Sequence, residues 1–222
     1  MKLYLVPTPI GNLDDMSFRA VKVLKEVDVI LAEDTRHSGS LLKHFGITTK
    51  MRAYHMHNEH NVQDNLIQEL SHGKTMALIS DAGTPGICDP AYLLIKSCIE
   101  HQIEVECLPG PVALIPALIN SGFPNHEFLF MGFPPQKKGR KTFFEKMAHE
   151  KKTIVLYESP HRIIKSLESI VEHLGAQTPI CINRELSKKF EEKIRGSVED
   201  VLNRIKKQAL KGELVLVVNN LD

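Results

Sequence analysis

The chain has 222 residues, 42% of them hydrophobic and 25% charged, with 28 Lys and Arg against 27 Asp and Glu. That is enough for one large or two small domains with substantial cores, and it excludes a disordered chain. A formal net charge of +1 gives none of the bulk basicity of many nucleic-acid binders, so any such contact must rest on local patches.

No apolar run approaches the length of a membrane span, and residues 1–7 are too short and too soon broken by Pro7 to form a signal peptide. Cys88, Cys98, Cys107 and Cys181 show no C-x-x-C spacing and read as reduced, buried thiols of a cytoplasmic protein.

In chain order, strands alternate with helices. Residues 3–6 read as a strand, and 15–27 as an amphipathic helix with Phe18, Val21, Leu24 and Val27 on its core face. A strand at 28–32 leads into Glu33-Asp34-Thr35-Arg36, then a helix at 38–45 stopped by Gly46, and another at 61–70 closed by Gly73. Strand 76–79, helix 92–100, strand 104–108 and helix 112–120 complete a first half made of βα units, which implies a mainly parallel sheet. The run 123–126 is the expected joint, giving domains at 1–122 and 123–222. The second half reads as strand 127–131, helix 142–149, strand 153–157, helix 162–174, and strands 179–183 and 190–194. A helix capped by Ser197 with Asp200 runs to about 208, and a last strand covers 213–218. These elements predict a mixed sheet, so the fold class is α/β with two domains.

Three loops follow strands and are built from Gly, Pro and Thr: residues 8–14, 80–86 and 108–111. Bare backbone at the carboxyl ends of strands is the expected layout of a ligand cleft in an open α/β sheet. Neither G-x-x-x-x-G-K-[ST] nor G-x-G-x-x-G is present, so the loops suit a nucleoside or amino-acid conjugate better than a triphosphate. Taken singly, each loop reads equally well as turn chemistry.

In this order, the segments 8–14, 33–36, 80–85, 109–111, 157–162 and 184–186 resemble the bacterial 16S ribosomal RNA (cytidine-2′-O)-methyltransferases of the tetrapyrrole methylase superfamily. The resemblance spans essentially the whole chain. It implies two α/β domains with S-adenosylmethionine held in the cleft between them, a homodimer, and methylation of a ribose 2′-hydroxyl on a decoding-centre cytidine of 16S ribosomal RNA. It also implies that the cofactor touches Pro9, Gly11, Ala82, Gly83, Thr84, Ile87, Ala113 and Leu114, with Glu158 and Glu185 on the opposite wall. The chain departs from the pattern at Cys88, where serine is expected, and at Ala91, where glycine is expected. It stops soon after residues 215–218, where many relatives continue with a basic extension, so the core domains and a dimer partner are expected to hold the RNA.

For catalysis, Glu33, Asp34 and Arg36 stand just past a strand end. The resemblance favours a catalytic site there. The same residues equally suit an ordinary helix start with Asp34 or Thr35 as cap. Arg36 and Arg162 have the fork geometry to clamp backbone phosphates. Lys137, Lys138 and Arg140 form the strongest local positive run, read as an RNA contact against a solvated loop. His161 reads as a first-turn residue. The stretch His55-Met56-His57-Asn58-Glu59-His60 invites a metal reading if His55 and His57 share one strand face, but it lacks a full ligand set; no metal is expected and a substrate-side loop is preferred. Two other functions fit the same fold: methylation of a tetrapyrrole or other small molecule, and a non-catalytic nucleotide- or RNA-binding module.

Overall fold

The computed structural model describes residues 1–221. The chain forms two compact units, one of Met1–Val112 and one from Ala113 onward.

The first unit carries β1 (Lys2–Leu5), α1 (Phe18–Glu26), β2 (Val29–Ala32), α2 (Thr35–His44), β3 (Met51–Ala53), α3 (Glu59–Ser71), β4 (Thr75–Ile79), α4 (Tyr92–Glu100) and β5 (Glu104–Cys107). Its sheet has the order β3-β2-β4-β1-β5, and every pairing is parallel. Strands covered on both faces must be apolar throughout, and β2 (Val-Ile-Leu-Ala) is buried at all four positions. One face packs Leu3, Leu31 and Leu78 against Leu66 and Leu70 of α3 and Leu94 of α4; the other packs Val6, Ile30 and Ile79 against Leu24 and Leu42.

The long helix expected at 15–27 is broken. A 3₁₀ turn at Leu13–Asp15 precedes Ser17, whose hydroxyl accepts from the Ala20 N–H at 3.0 Å and starts α1 afresh. Met16 then takes the core position that periodicity assigns to Phe18, and Phe18 is left 97% exposed. Helix α2 begins three residues before the expected 38, because Asp34 caps it. Strand β3, unrecognised in the sequence, is a three-residue edge strand with Arg52 at its centre, which hides its pattern. Of the cysteines expected to be buried, Cys98 and Cys181 are, whereas Cys88 and Cys107 are exposed.

The second unit carries α5 (Leu114–Ser121), β6 (Phe128–Phe130), α6 (Arg140–His149), β7 (Thr153–Glu158), α7 (Ile163–Leu174), β8 (Pro179–Arg184), β9 (Glu192–Ser197), α8 (Val198–Lys207) and β10 (Leu214–Asn219). The sheet order is β6-β7-β10-β8-β9; β6 and β7 are parallel and the remaining pairs antiparallel, giving the expected mixed sheet. Strand β9 begins two residues later than expected, and Ser197 caps α8 by accepting from the Asp200 N–H at 3.1 Å. A core of Phe144, Ile154, Leu156, Leu167, Ile182 and Leu216 lies between this sheet and α6–α8.

The division at 112/113 differs from the expected joint after 122. Helix α5 packs on the second sheet: the Asn183 side chain on β8 donates to the Ala117 carbonyl at 3.3 Å, and Arg195 on β9 donates to the Asn120 carbonyl.

Candidate functional site

Because the first sheet is wholly parallel, the loops after its strands leave from one edge. The loops after β1 and β4 are joined there. Thr8 and Gly83 exchange both backbone hydrogen bonds at 2.9 Å, and the buried Thr8 hydroxyl donates to the Ser80 carbonyl at 3.1 Å. The β5 loop is tied in by the Thr84 hydroxyl, which donates to the Pro111 carbonyl at 2.9 Å. Gly83 is required in this clasp: its φ is +82°, and a Cβ would lie 3.4 Å from Ile10 Cγ2. Gly110 is required for a different reason. A Cβ there would lie 2.6 Å from Pro7 Cβ. The three glycine-bearing loops are therefore one interlocked unit, and residues 6–12, 80–90 and 108–112 contain no Lys or Arg.

The departures from the family pattern both fall in the β4 loop. Cys88 has φ +68°, a left-handed conformation that strains serine as much as cysteine. Ala91 is buried, and its Cβ lies 3.5 Å from where a Gly86 Cβ would sit.

Carboxylates gather on the same edge. The Asp34 N–H donates to Asp81 Oδ1 at 3.3 Å, linking the β2 and β4 loops. Glu33 is half-buried, and its carboxyl is raised above its usual range by desolvation and then by the Asp81 charge, with His55 opposing. Asp89 is pushed up to about 6 by burial first and by Glu33 second; hydrogen bonding with Ser80 opposes the shift and Asp81 adds to it. The buried Nδ1 of His55 has no hydrogen-bond partner.

Asp34 and Arg36 are occupied differently. Asp34 Oδ1 accepts from the backbone N–H groups of Arg36 (2.8 Å) and His37 (3.4 Å), and the Arg36 guanidinium folds back onto the same carboxylate, 3.2 Å from Oδ2. Those bonds, led by the Arg36 side chain, hold Asp34 down to about 2. This is the helix-start alternative realised. Asp89 was missed in the sequence; the available signal was a second acid in the loop that already holds Asp81.

In the second unit, Ala113 and Leu114 stand at the start of α5, with Leu114 buried. Glu158, at the end of β7, has no exposed side-chain surface. It accepts from the Ser159 N–H (2.7 Å), the Ser166 hydroxyl and the Arg162 guanidinium (3.0 Å). Arg140 donates to the Ser166 hydroxyl at 2.9 Å and lies over the Phe144 ring. Glu158, Arg140 and Arg162, expected respectively on the cofactor wall and, for the two arginines, at RNA phosphates, are thus joined in one internal network. Glu185 closes the turn beside β10, with Oε1 accepting from the Glu213 N–H (2.8 Å) and Lys188 Nζ (3.1 Å), and its carboxyl is lowered mainly by the backbone bond. Lys137 and Lys138 are exposed, and neither is ion-paired among the described residues.

His55 and His57 lie beyond β3, which ends at Ala53, so no strand aligns their rings; the centroids are 6.0 Å apart and edge-on. The Asn58 side chain shapes this turn by accepting from the His55 N–H at 2.8 Å. Among the described residues no three His, Cys, Asp or Glu stand together as a metal site, and no helix is long and apolar enough to cross a membrane.

A family model of tetrapyrrole (corrin/porphyrin) methylases matches residues 2–202. A relative from Hydrogenobaculum, named ribosomal RNA small subunit methyltransferase I, is 45% identical over 99% of this chain and 96% of its own length. Proteins of the same name from Halalkalibacterium halodurans and Escherichia coli O157:H7 are each 46% identical, over 97% and 98% of this chain and 75% and 77% of their own. Among solved structures, a Thermus thermophilus uroporphyrin-III C-methyltransferase superposes with a TM-score of 0.69 at 19% identity, covering 99% of this chain and 95% of that one. A cobalt precorrin-4 methyltransferase gives 0.73 at 16%, covering 100% and 96%. By its sequence pattern, its two sheets and these matches, the chain belongs to the tetrapyrrole methylase family.

Proposed function

We propose that this protein is an S-adenosylmethionine-dependent methyltransferase that modifies the ribose 2′-hydroxyl of a decoding-centre cytidine in 16S ribosomal RNA, acting in the cytoplasm as a homodimer. The observation that carries this reading is the 45–48% identity, over nearly the whole chain, to proteins named ribosomal RNA small subunit methyltransferase I. A Thermus uroporphyrin-III methyltransferase of the same fold was solved with S-adenosylhomocysteine, which supports the choice of cofactor.

The first unit's edge fits that cofactor. Bare backbone around Pro9, Gly11, Ala82, Gly83, Thr84 and Ile87 suits an uncharged nucleoside, and loops without Lys or Arg do not suit a triphosphate. The carboxylates Glu33, Asp81 and Asp89 favour a ligand bearing positive charge, and the orphaned His55 Nδ1 leaves one polar group to be satisfied. Ala113 and Leu114 are the remaining contacts. When bound, the cofactor supplies a methyl group on a sulfonium.

The protein's own chemistry is then positioning and proton removal. Asp89, poised at about 6, and Glu33, raised in the same direction, accept a hydroxyl proton far better than an ordinary carboxylate. A general base of this kind contributes about 10²–10⁴-fold. Asp34 and Arg36 fix the start of α2 beside these groups, and Glu158, Arg162, Arg140 and Glu185 serve as scaffold. Lys137 and Lys138 meet RNA phosphates.

The test uses purified protein with methyl-labelled cofactor, small ribosomal subunits and uroporphyrinogen. Label is expected on a cytidine ribose of the subunit RNA. Label in uroporphyrinogen alone would replace this reading with the small-molecule one, and cofactor binding without any transfer would favour a non-catalytic module.

A further inference from the structure

We infer that the segment Phe133–Lys138 is a preformed nucleic-acid contact, in which the Phe133 ring stacks an unpaired base and Lys137 and Lys138 take the flanking phosphates. The inference rests on the ribosomal RNA reading above and assigns a place for the RNA on this chain.

Three features of the second unit carry it. First, the aromatic rings form a row. The ring of Tyr157 on β7 meets Phe130 at 5.0 Å and Phe133 at 5.5 Å, both edge-to-face, so Phe133 is held on one side and is 50% exposed on the other. The Tyr157 N–H donates to the Gly132 carbonyl at 3.0 Å and fixes the backbone just before the ring.

Second, the loop beyond it is pinned from below. The Pro134 carbonyl accepts from Arg162 at 3.5 Å and the Pro135 carbonyl from Arg140 at 3.2 Å. Both guanidiniums are themselves anchored inside, Arg162 on Glu158 and Arg140 on Ser166, which donates to Glu158 in turn. One buried carboxylate therefore sets the shape of a surface loop through two arginines. Glu158 is a positioning residue in this scheme, and the two prolines remove further backbone freedom. A loop ordered in advance loses less on binding than one that must be ordered by its ligand.

Third, the charge is right. Four and five residues beyond the exposed ring in the chain, Lys137 and Lys138 are exposed and carry no ion pair among the described residues, whereas Lys141, in the first turn of α6, has Glu145 at 3.8 Å. An exposed aromatic face followed closely in the chain by two unpaired cations matches a base with its phosphates.

The experiment separates stacking from charge and from structure. Phe133→Ala, Phe133→Leu, Phe133→Trp and the double variant Lys137→Ala/Lys138→Ala are assayed with unmodified small ribosomal subunits and with protein-free 16S RNA, across a range of salt. Loss of one base stack raises KM for the RNA about 5- to 150-fold. Phe133→Ala and Phe133→Leu are expected to show that rise, Phe133→Trp to restore the wild-type value, and S-adenosylmethionine affinity to stay unchanged in all. The salt slope should be unaltered by the Phe133 variants and should fall by roughly 1.4 in the lysine double variant, at about 0.7 per phosphate on a single strand. Leu matching the wild type, or equal loss of cofactor affinity, would overturn the stacking assignment. Wild-type protein that methylates no RNA at all would instead remove the functional reading.

Discussion

Gly110→Ala is the sharpest test of whether the interlocked loops hold the cofactor. By exposure the position is innocuous, and its φ lies outside the left-handed region, so neither burial nor strain predicts harm. The obstacle is the Pro7 ring, whose Cβ and Cγ would lie 2.6 and 2.9 Å from the new methyl. Carbon atoms pack at about 3.5–4.0 Å, so one loop must retreat by about 1 Å, and a buried proline ring has no rotamer to offer. Overpacking of this kind costs about 1–3 kcal/mol, with roughly 2–4 °C of Tm for each kilocalorie in a chain of this size. Misplacing a binding loop by that distance can cost on the order of 10²-fold. Isothermal titration should therefore show a large loss of S-adenosylmethionine affinity in a protein that still folds. Gly46→Ala is the control. It follows α2 at φ +61° with nothing within 4 Å of a new Cβ, so it costs about 1–2 kcal/mol of backbone strain and leaves the cofactor alone. If Gly110→Ala binds the cofactor as the wild type does, the β5 loop is not part of the cofactor wall and the assignment of this edge fails.

Three further outcomes are expected. Asp89 has a folded pKa of about 6 against an unfolded value near 3.9, so between about pH 4 and 6 the folded state holds a proton that the unfolded chain has lost. Its burial therefore costs stability progressively as pH rises through that window. Asp89→Asn should remove this component while lowering methyl transfer by about 10²–10⁴-fold; urea unfolding of both proteins at pH 4.5, 5.5 and 6.5 would refute the assignment if the curves ran parallel. Asp34→Ala removes the cap of α2 and should cost about 0.5–2 kcal/mol in thermal unfolding. A transfer rate down by more than the general-base range would instead give Asp34 a direct chemical role. Glu158→Gln leaves Arg162 with only 23% of its side chain exposed and no counter-charge, at a cost of about 3–5 kcal/mol. Adding Arg162→Met should recover part of that loss, and a double-mutant cycle with no coupling would contradict the network.

What the sequence made legible, and what it hid, divides along a physical line. Short segments bounded by Gly, Pro and acids located nine of the ten strands among the described residues, most plainly central strands such as β2 and β10, where burial on both faces leaves no composition but an apolar one. The exception, β3, is a half-exposed edge strand with an ion-paired arginine at its centre, and such a strand is under no pressure to look like one. Loops were legible for a similar reason: Gly83 and Gly110 answer to backbone strain and to a proline ring, constraints that act locally. Charges were not. Arg36, Arg140 and Arg162 carry the residue type that grips phosphate, yet each guanidinium is committed to a carboxylate, a hydroxyl or a carbonyl of its own chain. The same holds for Glu158 and Glu185, whose positions at strand ends suggested a ligand wall. A charged group's role depends on whether a partner two to thirty residues away reaches it first, and spacing alone does not record that. Within one stretch, Arg140 and Arg162 are taken by the carbonyls of Pro135 and Pro134, while Lys137 and Lys138 just beyond those prolines carry no ion pair among the described residues, a division that charge type and spacing do not reveal.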